Sequence, residues 1–321
     1  MKVLFICPKF FGYEIEIKRL LKSEMRYDEV IYLDLNDFKY EYKNKLEKLY
    51  SNLIYKFFFK ETFKDKKWNE NIIKEIEKYK NKIDIILYIR PDGVHKKLIK
   101  YLKNLNKILI GHQWDSMNSL HGIEKCIKYF DKFSTFDLEE AQKYKIDFIP
   151  NFYLESKQNI IEQNEQIEIF TVMSYDYRFE ILEKIAKDLK ERKVNYLFLI
   201  YTKNKKIKSD YIKIINEPIS LNEVYSLMEK SKNILEIGHK RQGGLSFRAI
   251  DCLGKKKKLI TNYVFIKEYD FYNENNIYIL KENEFIIPEK FLEKKYIEIE
   301  KKIYENYSSE IWIKKLCLNK Y

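Results

Sequence analysis

Ile234-Leu235-Glu236-Ile237-Gly238-His239-Lys240-Arg241-Gln242-Gly243-Gly244-Leu245-Ser246-Phe247-Arg248-Ala249-Ile250-Asp251 reads as one strand, one loop and one helix. The apolar run at 234–237 predicts a strand, the polar, glycine-bearing loop ends it, and 245–253 carries helical apolar spacing. A strand feeding a helix is half of a βαβ unit. The same rhythm surrounds it, with strands predicted at 167–173, 196–201 and 258–261 and helices at 179–192 and 221–231. Ser220 followed by Glu223 is a capping box that sets one of those helix starts. Pro288 precedes a last helical region, 290–307, and a terminal piece around Ile311-Trp312.

The first half has the same alternation. Strands are predicted at 2–7, 30–35, 83–89, 107–110, 132–136 and 148–149, and helices at 13–23, 44–55, 70–80, 94–103, 122–129 and 138–144. Asp137 ahead of Leu138-Glu139-Glu140 is a helix N-cap with acids in the first turn. A polar interval rich in Gln, Asn and Glu separates the halves. The expected organisation is an N-terminal Rossmann-like domain over 1–154, a linker over 155–166 and a second Rossmann-like domain over 167–290. A helical tail over 291–321 is expected to pack back on the first domain. Two doubly wound α/β domains facing a central cleft should carry ligands beyond the carboxyl ends of their strands.

The residues after each strand therefore hold the chemistry. Gly243-Gly244 allows backbone to approach a ligand closely, and a helix start offers free N–H groups and partial positive charge, the means of holding a pyrophosphate. Ser246 adds a hydroxyl, and Arg248 adds bidentate charge, with His239, Gln242 and Leu245 beside them. Arg178 and Lys203 follow the first two strands of this half and are candidate clamps for diphosphate charge. A tight turn with solvated cations is the plainer alternative.

In the first half, Gly12 supports a loop after the first strand, and Glu14 begins the next helix. His112-Gln113-Trp114-Asp115-Ser116 combines a ring that can cover a sugar face with groups for its hydroxyls. Asp115 or His112 is a candidate general base. Against this, His112 and Trp114 suit a core, and Asp115 suits a turn.

Composition narrows the field. The 321 residues are 45% hydrophobic and 34% charged with 8 Gly and 5 Pro, which excludes disorder and collagen-like repeats. Net charge is +12, mostly lysine mixed with acids in a chain heavy in Ile, Asn, Tyr and Phe, a pattern of AT-rich coding before any specific basic partner. Four dispersed cysteines with no CxxC argue against zinc or disulfides and fit a reducing cytoplasm. The N-terminus lacks the apolar stretch and cleavage site of a signal peptide, and no run reaches membrane-spanning length. The apolar run 53–59 reads as core, or as a segment able to dip into a membrane. There is no nucleic-acid motif and no DxD triplet.

As a set, these segments resemble bacterial surface-polysaccharide glycosyltransferases of the GT-B architecture, the group with lipopolysaccharide-core, capsule and CgeB-like enzymes. The likeness rests on residues 5–14, 112–116, 130–137, 244–254, 258–262 and 266–273. It implies a cytoplasmic, metal-independent transferase without cofactor. A nucleotide-sugar donor would lie on the second domain and a saccharide or lipid-linked saccharide acceptor on the first, with weak association to an anionic inner leaflet and no nucleic acid. Arg241-Gln242-Gly243-Gly244 stands where retaining members carry a Glu-containing loop, so stereochemistry stays open. A nucleotide-sugar epimerase of the same fold and a non-catalytic nucleotide-sugar-binding scaffold are the rival expectations.

Overall fold

A computed structural model describes residues 1–59, 62–91, 96–117, 122–155, 167–240, 242–282 and 284–318. The chain divides into two compact units, one of Met1–Ile149 with the segment that begins at Ile313, the other of Pro150–Trp312.

The first unit is built on β1 (Lys2–Ile6), β2 (Glu29–Leu33), β3 (Ile85–Ile89), β4 (Ile108–Gln113), β5 (Lys132–Thr135) and β6 (Asp147–Phe148). All pair in parallel in the order β2-β1-β3-β4-β5-β6. The helices are α1 (Tyr13–Ser23), α2 (Lys45–Tyr50), α3 (Lys56–Phe59), α4 (Phe63–Glu77), α5 (Lys96–Asn104) and α6 (Leu138–Tyr144). A parallel strand covered on both faces must be apolar throughout, and every residue of β3 is buried. Leu98, Ile99 and Leu102 of α5 supply one such cover, packing with Ile86 and Leu109.

The second unit holds β7 (Ile167–Ser174), β8 (Tyr196–Tyr201), β9 (Lys213–Ile215), β10 (Ser231–Glu236), β11 (Lys258–Thr261) and β12 (Ile277–Ile279), all parallel, in the order β12-β11-β10-β7-β8-β9. Its helices are α7 (Phe179–Glu191), α8 (Leu221–Glu229), α9 (Phe247–Gly254), α10 (Glu289–Glu293) and α11 (Lys301–Glu305); α12 (Ser309–Cys317) is divided between the units. Leu182, Ile185, Ala186 and Leu189 of α7, spaced i, i+3, i+4, i+7, are all buried in one core with Ile169, Phe198 and Ile200. Each sheet reverses its winding once, between β1 and β3 in the first unit and between β7 and β10 in the second. At such switch points the loops part and leave a crevice.

Several elements differ from expectation, each for a local reason. The strand expected at 107–110 runs on to Gln113, which puts His112 and Gln113 inside the sheet. The strand expected at 30–35 stops at Leu33 because Asp34 caps a 3-10 turn, Leu35–Phe38. The helix expected at 70–80 starts at Phe63, where Thr62 and Asp65 cap each other reciprocally. In place of a helix at 122–129 stand two 3-10 turns, Ile123–Lys125 and Ile127–Tyr129. The region 290–307 is two short helices. Between them Ile297 leaves the helical path to exchange two hydrogen bonds with Asn276, while the Lys258 ammonium donates to the Phe291, Leu292 and Lys294 carbonyls. Helix 44–55 continues as α2, a π turn (Ser51–Tyr55) and α3, with Leu53 and Phe57 exposed rather than in a core. The first residues of the helix expected at 94–103, and positions 156–166 of the linker, lie outside the described residues. No helix among the described residues is long and apolar enough to cross a membrane.

Candidate functional site

In the second unit, the site forms where β10 hands over to α9. Ser246 sits in extended backbone (φ −64°, ψ 160°) and its hydroxyl accepts the Ala249 N–H at 3.2 Å, so the helix starts at Phe247. The preceding loop is tied down on both sides: Gln242 Nε2 donates to the Gly244 carbonyl (3.0 Å), and Asn151 Nδ2 donates to the Leu245 carbonyl (2.9 Å). Between that loop and the ends of β10 and β11 lies a small cavity of about 10 Å³, room for about one water, partly open to solvent. Its walls are Glu236, Gly238, Gln242, Gly244, Leu245, Ser246, Ala249, Thr261 and Tyr263. Gly238 N–H donates to Asn262 Oδ1 (2.8 Å), which fixes the opposite rim. Among the described residues the left-handed glycines are Gly12 and Gly122. Gly243 is half-buried and Gly244 buried, and neither is among those left-handed glycines.

The charges here differ from the expected set of open cations. Arg178 Nε and Nη2 grip Asp176 (2.7–3.0 Å), and its Nη1 donates to the Ile237 carbonyl at 2.8 Å. Burial works to raise the Asp176 pKa, but the Arg178 hydrogen bonds and charge outweigh it and hold the carboxyl below its usual value. Arg248 Nη1 meets Glu236 Oε2 at 3.1 Å across the cavity wall. Both arginines are thus oriented by acids of their own unit, Arg178, the candidate clamp, by Asp176 and Arg248 by Glu236. His239 is half-buried with its ring edge-on to Tyr177 at 5.2 Å, and the Tyr177 hydroxyl accepts the Lys240 N–H at 2.6 Å. Lys203 is exposed after β8, with β7 between it and β10, so it is not gathered with the rest. Arg241 lies outside the described residues.

The first unit treats its candidates differently. Gly111 passes so close to two rings that a Cβ there would meet Phe133 at 2.6 Å and Phe130 at 2.7 Å. That close packing carries β4 onward with His112 fully buried and its Nδ1 2.8 Å from Ser134 Oγ. Burial pushes the His112 pKa down to about 3. A base must reach its proton and titrate near working pH, and His112 does neither, so it is a core histidine. Trp114 is buried, tilted against Phe10 at 5.6 Å, and offers no open face for a sugar. Glu14 is also turned inward: its carboxylate accepts the Phe10 N–H at 2.9 Å and closes the loop before α1. Phe11 (φ 52°) and Gly12 (φ 92°) make that loop from consecutive left-handed residues. A Cβ at Gly12 would have open space, so the need for glycine there is conformational.

Asp115 keeps a place at the edge. It is partly exposed and held by Arg90 Nε at 2.9 Å; Arg90 itself has a left-handed backbone (φ 55°) and donates its N–H to the His112 carbonyl. The sequence reading did not single out Arg90, whose place directly after a buried strand was the available signal. It also missed the buried set in which Ser116 and Thr135 hydroxyls donate to the Glu140 carboxylate at 2.8 and 3.2 Å. Glu140 three residues after the N-cap Asp137 was visible, but not that its side chain would turn back to two strand ends. Among the described residues no group of three or more His, Cys, Asp or Glu is placed to hold a metal ion.

No family model and no curated protein matches this chain by sequence. Solved structures do match. Over 98% of both chains it is similar, at a TM-score of 0.56 and 14% identity, to the Methanocaldococcus jannaschii UDP-GlcNAc 2-epimerase in complex with UDP-GlcNAc and UDP. It is similar to a UDP-forming α,α-trehalose-phosphate synthase from Burkholderia xenovorans (TM-score 0.52, 11% identity, 83% of this chain and 85% of that one). An α-glucosyltransferase in complex with UDP-glucose and DNA containing an abasic site matches at a TM-score of 0.51 and 11% identity, over 98% and 92% of the two chains. The chain has the GT-B fold. Within the GT-B fold, each Rossmann-like unit presents the carboxyl edge of a parallel sheet, and the cavity at the start of α9 lies at that edge of the second unit.

Proposed function

We propose that this GT-B protein is a glycosyltransferase that moves a sugar from a nucleotide-sugar donor to a saccharide or lipid-linked saccharide acceptor in bacterial surface-polysaccharide synthesis. The observation that carries the proposal is the cavity at the start of α9, walled by Gly244, Leu245 and Ser246. A helix N-terminus favours an anion through its amide N–H groups and its dipole, worth roughly 0.3–1 kcal/mol at exposed sites and more when partly buried. Arg248, aimed by Glu236, stands beside it. Charge that develops on the departing diphosphate would meet groups already in place, and no metal ion is needed to supply it. On the first unit, Asp115 oriented by Arg90 is the candidate base for the acceptor hydroxyl.

The three solved proteins named above were seen with UDP or UDP-sugars or are UDP-forming, so UDP-sugars are the first donors to try. A second reading, epimerisation of a UDP-sugar, draws support from the whole-chain likeness to a UDP-GlcNAc 2-epimerase. One experiment separates them: thermal-shift selection of a UDP-sugar, then incubation with and without acceptor. A ligand at 100 times its Kd should stabilise by about 2.7 kcal/mol. Transfer that requires acceptor supports the proposal. An isomerised sugar formed without acceptor supports the second reading, and binding with neither product indicates a scaffold.

A further inference from the structure

The margin of the first sheet carries another open space. The strand register sets Ile110, Lys132, Ser134 and Asp147 on one face of β4, β5 and β6. α12 lies over that side of the first unit, with Lys314 Nζ held by Glu24 at 2.9 Å just past the end of α1. β6 is only two residues long, so the sheet ends before it can fill the room beneath the helix. What remains is a cavity of about 460 Å³, partly open to solvent and walled by buried Ile110, Ile149 and Leu316. That volume is in the range of small-molecule sites.

The charges around it say what it would take. Three charged residues line it, Lys132 and Lys315 against Asp147. Half-buried Lys132 has no ion-pair partner among the described residues, and neither has Asp147. The Cys317 thiol does not answer the Lys132 ammonium either. Burial pushes that thiol up to about 12 although the Lys132 charge works to lower it, so it stays neutral at neutral pH. An ammonium beside apolar walls is best matched by an anion whose body covers those walls. Two lysines against one aspartate leave one net positive charge on the lining, which suits one negative charge and disfavours a dianion. We propose that this cavity is a further ligand site, sharing no residue with the space at the start of α9, for a small organic monoanion with an apolar body. The acid group would sit on Lys132 and the body against Ile110, Ile149 and Leu316. The site is independent of the transfer reaction and is measured without nucleotide.

The test is fluorescence titration of the full chain with anilinonaphthalene sulfonate, an aromatic monoanion, and with its uncharged counterpart N-phenylnaphthylamine. The sulfonate should bind saturably and more weakly as salt rises. Lys132→Gln should weaken it at least about fivefold, and Asp147→Asn should tighten it about two- to threefold. The uncharged probe should change less than about twofold in either variant. Neither substitution removes a packed apolar group, so the urea midpoint should stay where it is. Saturating UDP should leave the sulfonate bound. No saturable binding, sulfonate affinity indifferent to both substitutions, equal shifts for the two probes, or displacement by UDP would each overturn the proposal, the last by assigning the probe to the nucleotide space.

Discussion

The carboxyl edges of β4 and β10 hold similar residues and end differently. After β10 the chain leaves the sheet at once, and Gly238, Gln242, Gly244 and Ser246 come to line an open cavity. At β4 the strand continues through His112 and Gln113, which are core, and Trp114 just beyond its end is buried as well. The lesson is that a suggestive side chain near a strand end is available only where the ladder has already stopped. Gly111 controls this in the first unit: its missing side chain lets Phe130 and Phe133 close over the strand, and pairing with β5 then extends to Gln113.

The contrast can be broken most forcefully at Trp114. Trp114→Ala should cost about 3–5 kcal/mol of stability, measured by urea unfolding, while nucleotide affinity in the folded fraction stays within about twofold. A stable variant that has lost acceptor use would instead restore the sugar platform.

His112 offers the next largest effect. Its pKa is about 3 in the folded state against about 6.5 when unfolded, so between those values only the unfolded chain takes up the proton. Stability contributed by the neutral ring is full above about pH 6.5 and drains as pH falls. The wild type should lose up to about 1.4 kcal/mol per pH unit more than His112→Gln between pH 6 and 5. Parallel pH profiles would mean the ring is solvated and open to chemistry. Asp176, with its lowered pKa, loses its contribution only at more acid pH and leaves that window clear.

On the other edge the paired arginine gives a change of sign. Arg248→Ala leaves Glu236 facing the cavity alone and should weaken UDP binding about five- to tenfold by calorimetry, whereas Glu236→Gln should tighten it by less than about fivefold. Weakening by both substitutions would show that the ion pair is needed as a unit. The smallest effect belongs to Lys203→Ala, expected to change UDP affinity less than about twofold, since β7 separates it from β10.

Much of the fold was legible because parallel strands must be apolar on both faces. Ile85–Ile89 and Lys258–Thr261 announce themselves, and Asp137 and Ser220 mark helix starts by their own side-chain hydrogen bonds. Lys213–Ile215 and Ile277–Ile279 did not, because three residues at a sheet margin are held by their neighbours rather than by any pattern of their own. Of the site, the cavity-lining loop was legible from its glycines and the cap at Ser246. The partners of its charges were not. Arg248 and Glu236 are 12 residues apart on a helix and a strand, and Arg178 reaches the Ile237 carbonyl 59 residues away; only the folded sheet brings such groups together.

The central claim is that the space at the start of α9 receives a nucleotide diphosphate. A crystal structure of the protein soaked with UDP tests it most directly. The account predicts the diphosphate within hydrogen-bond distance of the backbone amides of Gly244, Leu245 and Ser246, beside the Arg248 guanidinium. UDP bound at another place, with the space by Gly244 left to solvent, would contradict it.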